Sequence, residues 1–266
     1  MYHAIIQFTL SGAILFIGIL TLLKVSEPRE VPFALLPLLF GLHEFSQGFV
    51  WLGVEHMISP RAAEMAEVFY VFYAKGLLQF WVPMAVWLLE PSGWRKSTLS
   101  LLTVLGGLMT LYALWALSLA PLNVYVESGS VVYNTPNTNH LWLAMGYILT
   151  TCGALILSRS IAIQLYGGLN LIGLSLVYLI KPYAFTSVWC LYAAVLSGVL
   201  YFYFTERRIE FLRRLKSKEF AISQKLAHEL VRLQHRYPTW RERWQSRPST
   251  WRQKINTYLP TKGDTP

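Results

Sequence analysis

Five side chains that can carry a proton or a hydrogen bond, His43, Glu44, Gln47, Lys75 and Gln79, fall inside stretches otherwise apolar enough to enter a lipid bilayer. An ionisable group at that depth costs about 2.5 kcal/mol or more unless it is paired or solvated, which makes each a candidate site residue. On a helix, Glu44, Gln47, Gly48 and Trp51 stand at i, i+3, i+4 and i+7, and Gly41 and Pro37 extend the same stripe. His43 lies four residues before Gln47 and borders that face. The next apolar run travels the opposite way and sets Lys75, Gln79, Val86 and Glu90 along one side. Counting about 1.5 Å per residue from the outer ends puts Glu44 about 15 Å deep and Lys75 about 10 Å deep, a gap that a lysine stem spans. These depths predict a Glu44–Lys75 ion pair, with His43, Gln47 and Gln79 completing the network. Trp189 with Ser187 on the last span, and Tyr147 on the fifth, can line the same interior.

Such a group can bind a ligand, hold a proton, or act as general acid or base on a lipid or quinone-like substrate, because burial opposes the charged carboxylate. A paired glutamate and lysine can equally do no more than fix helix register. The chain has no Gly-x-Ser-x-Gly, no His-Glu-x-x-His, no Asp-x-Asp pair and no glycine-rich phosphate loop, so no catalytic residues, metal or cofactor are expected. His43, His56 and His140 fall at different depths, and Cys152 and Cys190 sit in separate apolar runs as small packing residues. Glu90 and Arg95, at the end of the third run, read as a wet surface ion pair.

The elements that must position these groups follow from composition. The 266 residues are 54% hydrophobic and 14% charged, with ten tryptophans and a mean hydropathy of +0.40, too apolar for a soluble domain of this size. A span needs about 20 mostly apolar residues. Seven stretches qualify, at 4–23, 32–54, 68–90, 99–119, 140–158, 161–180 and 186–205. The expected fold is all-α, a polytopic bundle of seven transmembrane helices. Its longest loop, 120–139, reads as a surface segment rich in Pro, Asn, Thr, Ser and Gly. Lys24, Arg29, Arg95, Lys96 and Arg159 fall on the same side as the tail, against Arg61 and Lys181 on the other. The positive-inside rule therefore predicts the N-terminus out and the C-terminus in. Lys181 follows the sixth span, and the last span has no lysine, which disfavours a retinal Schiff base of the microbial-rhodopsin kind.

Two domains are expected: the bundle, 1–205, and a basic cytoplasmic tail, 206–266, helical to about 235 and irregular after it. Residues 1–205 hold eight basic and eight acidic side chains, and the tail fifteen and six, so the formal charge of +9 belongs to the tail. Apolar residues at 209, 212, 215, 222, 226, 230 and 233 mark one face of an amphipathic helix. Its expected partners are anionic lipid or a cytoplasmic protein, with tryptophan and arginine interleaved from Tyr237 onward as further membrane contacts and no nucleic acid.

Three patches, Phe40-Gly41-Leu42-His43-Glu44-Phe45-Ser46-Gln47-Gly48-Phe49-Val50-Trp51, then Trp81-Val82-Pro83 with Glu90, then Ser187 to Ser197, together resemble an uncharacterised family of bacterial seven-helix membrane proteins. The resemblance covers roughly residues 5–205 and implies a fold and a bacterial inner-membrane address, with no activity. The family pattern carries a glutamine pair at His43-Glu44 and a glutamate at Gln47, so the carboxylate stands one helical turn away on the same face. The resulting expectation is a membrane protein that senses or binds a small molecule, lipid or proton through His43, Glu44, Gln47, Trp51, Lys75, Gln79 and Trp189. An intramembrane enzyme and a structural subunit of a membrane complex are the alternatives.

Overall fold

The computed structural model describes residues 2–119, 122–135, 140–181 and 184–236. The tryptophan- and arginine-bearing segment from Tyr237 onward lies outside the described residues. The chain divides into two units, Met1–Ile209 and Glu210–Pro266.

The first unit is a helical bundle. Helix α1 is Tyr2–Leu22, followed by a 3-10 turn, Pro28–Glu30, the short α2, Val31–Ala34, and α3, Leu36–Val54. Prolines 32 and 37 stand in the first turns of α2 and α3, where a missing N–H costs nothing. Helix α4, Pro60–Phe72, passes through a five-residue π turn, Tyr73–Leu77, into α5, Leu78–Leu89. Helix α6 is Trp94–Leu119. After it come strands β1, Asn123–Glu127, and β2, Ser130–Asn134, paired antiparallel with Tyr125 opposite Val132. Helix α7, Leu141–Ile148, a second π turn, Leu149–Gly153, and α8, Ala154–Leu157, form one stack. Then come α9, Ile161–Ile180, α10, Phe185–Ser197, and α11, Val199–Arg236. The part of α11 beyond Ile209 is the described portion of the second unit.

Six stretches are long and apolar enough to cross a bilayer: Tyr2–Leu22, Pro28–Val54, Pro60–Leu89, Trp94–Leu119, Ile161–Ile180 and Phe185–Lys218. They make the chain a multi-pass membrane protein. The fifth expected span appears as the shorter apolar helix Leu141–Leu157. Loop 120–139 departs from the surface reading. Ser128 and Gly129 both have positive φ, 47° and 73°, which closes a two-residue hairpin whose twist matches its strands. Ser130, Val131, Val132 and Tyr133 of β2 are buried against the bundle.

Side chains bond the backbone at several irregular places in the helices. In the first π turn, Lys75 O accepts from Gln79 Nε2, and the Thr110 hydroxyl of α6 reaches Gly76 O at 3.0 Å. Between α8 and α9, the Arg159 N–H donates to Glu90 Oε2 at 2.9 Å and the Ser158 hydroxyl lies 3.5 Å from it. This corrects the expected Glu90–Arg95 surface pair. Glu90 is buried as the acceptor for a helix break, and Arg95 lies over the Trp94 ring, 5.4 Å from its centroid. At the same end, buried Glu30 pairs with Arg207 at 3.0 Å, and Arg208 donates to Leu23 O.

Pro83 inside α5 has no N–H for Gln79 O, and α6 uses the gap that this leaves. A Cβ on Gly106 would lie 1.8 Å from that carbonyl oxygen, whereas one on Gly107 would meet nothing nearer than 3.6 Å. Gly106→Ala is expected to cost about 3 kcal/mol, the upper end for overpacking, and Gly107→Ala to leave stability unchanged. Thermal unfolding of the two variants in mild detergent checks this, and equal midpoints would contradict the close approach.

Candidate functional site

The site residues expected from the sequence separate into two groups. Three of them, Lys75, Gln79 and Trp189, line a cavity, while His43, Glu44, Gln47 and Trp51 are packed in the helix contacts beside it.

The packed group begins with the glycine face of α3, which lies against α1. A Cβ on Gly41 would come within 2.8 Å of the Leu15 side chain, and one on Gly48 within 2.4 Å of the Phe8 ring. From the α1 side, Gly18 makes the same close approach to Leu38, at 2.5 Å. Small residues let membrane helices touch closely enough for side-chain hydrogen bonds to form. Across this seam Gln7 Nε2 donates to Glu44 Oε2. The expected Glu44–Lys75 pair is therefore replaced by Glu44–Gln7, because α1 takes the face that depth alone assigned to the next helix. Lys75 instead donates to the hydroxyl of Thr135, just past β2.

His43 is fully buried between the rings of Tyr70 and Tyr73, at centroid distances of 4.0 and 4.4 Å. Its Nε2 lies 3.1 Å from Tyr70 O. A carbonyl only accepts, so that nitrogen carries the hydrogen, and Nδ1 faces Glu44 Oε1 at 3.6 Å. Neither atom has a hydrogen-bond partner among the described residues. Tyr70 stacks in turn on Tyr133 of β2, at 4.7 Å, so four rings, Tyr73, His43, Tyr70 and Tyr133, form a column from α3 to the hairpin. Gln47 ties the column's end to the bundle: its Oε1 accepts from the Tyr133 hydroxyl at 2.6 Å and its Nε2 donates to Ser187 Oγ at 3.1 Å. Trp51 turns away toward α1 and stacks on His3 at 4.4 Å.

The second group surrounds a cavity of about 880 Å³ bounded by the first π turn, α6, α7, α9, α10 and β2. Tyr133 separates it from the packed network. Lys75 in the π turn and Gln79 one turn on in α5 both stand on the cavity wall; π turns recur at functional sites. Trp189 forms another part of the wall and donates from Nε1 to the Tyr147 hydroxyl at 3.0 Å. On its other side lies a void of about 20 Å³ between Tyr147, Thr151 and Asn170, room for one water. The amide of Gln79 is oriented by the Lys75 carbonyl, which requires Nε2 on that side and leaves Oε1 without a partner among the described residues. Among those residues no group of three His, Cys, Asp or Glu side chains is placed to hold a metal ion. Cys152 and Cys190 are buried free thiols.

Sequence reasoning missed Gln7, Tyr133 and Thr135. Gln7, Ser11, Ile14 and Gly18 are all buried on α1 at i, i+4, i+7 and i+11, a small and polar stripe that marks the partner of the α3 stripe.

Gln7→Leu is expected to cost about 1–3 kcal/mol by leaving Glu44 Oε2 without its donor, with most of that recovered in Gln7→Leu/Glu44→Leu. A double-mutant cycle of Glu44→Leu with Lys75→Met is expected to be additive within about 0.5 kcal/mol. Unfolding measurements that found the coupling in the second cycle and not the first would restore the Glu44–Lys75 pair.

The model of a family of unknown function, DUF6629, matches residues 2–214. No curated protein and no solved structure matches the chain.

Proposed function

The chain belongs to DUF6629, and for this member we propose a membrane protein that binds a small amphipathic molecule in the cavity between the first π turn, α6, α7, α9, α10 and β2. The observation that carries this reading is the cavity itself. At about 880 Å³ it falls in the range of about 300–1,000 Å³ usual for ligand sites. Its wall is largely apolar and aromatic, with Lys75, Gln79, His140, Ser175 and Thr186 among its polar groups. Polar side chains at membrane depth that face a cavity are the usual mark of a binding path.

Binding rather than turnover fits the arrangement better. Glu44 and His43, the pair that acid–base catalysis would use, do not line the cavity. The glycine stripe of α3, which a structural subunit would offer to its complex, is covered by α1 of the same chain. In our reading Leu141–Leu157 is a seventh span, about 25 Å long at 1.5 Å per residue, and the membrane is a bacterial inner membrane. The N-terminus lies outside. Support for the orientation comes from basic residues on the side of the tail, where Arg207 pairs with Glu30, Arg208 donates to Leu23 O and Lys96 donates to Glu90 O. The basic amphipathic stretch of α11 then meets anionic lipid of the inner leaflet or a cytoplasmic protein.

Thr186 lines the cavity and is half-buried, so Thr186→Trp fills the space from its wall. Wild type and Thr186→Trp purified from native membrane in mild detergent are expected to differ at least tenfold in one co-purifying small molecule identified by mass spectrometry, at equal unfolding temperature. Equal retention by both, or none by wild type, would remove the binding reading.

A further inference from the structure

We infer that the molecule this cavity takes is an amphipathic anion, with its negatively charged head at Lys75 and a single acyl-type chain along the aromatic wall; this rests on the binding reading above. Two observations point to it. Among the described residues that line the cavity, Lys75 is a cation and none is acidic. The charge on the described wall is thus that of Lys75, in a setting where the low dielectric makes a charge on the ligand decisive: an anion gains there and a cation loses. The second is a polar group at Lys75 set against an aromatic stretch, with His140, Ser175 and Thr186 also on the wall. Lys75 and Gln79 are one helical turn apart, and Thr135 meets Lys75, while Trp189, Phe185 and Tyr178 cover another stretch of wall with apolar ring surface. A head at one end and a chain at the other matches that division.

The same chemistry is offered by a free fatty acid and by a lysophospholipid with a terminal phosphate. Both are tested against a chain of equal length without charge. Tritiated palmitate, palmitoyl-lysophosphatidate and hexadecanol are equilibrated with the purified full chain in maltoside micelles near neutral pH. Specific binding is the part absent from Thr186→Trp. At least one of the two anions is expected to bind ten times more tightly than hexadecanol, and the tighter of the two names the head. Lys75→Met is expected to bring the anions down to the hexadecanol level, and Lys75→Arg to keep the preference. Hexadecanol binding wild type as well as both anions would overturn the inference while leaving the cavity reading standing. So would a preference undiminished in folded Lys75→Met. Specific binding of none of the three to folded wild type would overturn both. The wild-type comparison needs no variant at Lys75, so a misfolded Lys75→Met does not remove the test.

Discussion

A polypeptide inside hydrocarbon has no water to take up a spare N–H or C=O, so every departure from regular helix must be answered by another part of the same chain. The bundle departs from regular helix at Pro83, at two π turns and at the α8–α9 break. Three of the polar side chains buried in the spans serve those places. Gln79 meets the carbonyl of Lys75, Thr110 that of Gly76, and Glu90 the N–H of Arg159. The same irregular stretch also forms part of the cavity wall, since Lys75 stands in the π turn and Gln79 one turn beyond it. Site and scaffold thus meet in one stretch: a helix allowed to be imperfect because its neighbours carry the right donors and acceptors.

The packed network on the other side of Tyr133 obeys the same constraint more strictly. Glu44 is fully buried, and a lone carboxylate in such a place is costly. It has Gln7 on one oxygen and the His43 ring beside the other. The seam that allows this is narrow because three glycines, 18, 41 and 48, occupy it. Larger residues at those places would separate α1 from α3, and Gln7 would no longer reach.

The long apolar runs are legible in the sequence because hydropathy over about 20 residues is a direct reading of solvent preference. The polar face of α3 is legible for a similar reason: Pro37, Gly41, Glu44, Gln47, Gly48 and Trp51 keep helical spacing and are buried together. What depth and spacing leave open is which helix covers a face. Lys75 has the right depth for Glu44, yet packing against glycine decides the partner, and glycine favours whichever helix can come closest. The hairpin was readable from Ser128-Gly129 between two alternating segments, but the prolines and asparagines around it resemble an ordinary loop. The cavity is the least legible part, because a void is what remains after all neighbours have packed, and no single residue announces it.

The hairpin also separates two kinds of sequence change. Its buried strand supplies Val131 and Tyr133 to the cavity wall and is followed at once by Thr135, yet it belongs to no span. Insertion into the membrane depends on the apolar helices, which are read by the bilayer, whereas residues 123–135 are read by the helices around the cavity. Substitutions in these few positions therefore reshape one wall of the chamber without altering any segment's preference for lipid. A lineage can reshape the chamber by editing a short ribbon outside the spans while its helices stay under the separate and slower discipline of the membrane.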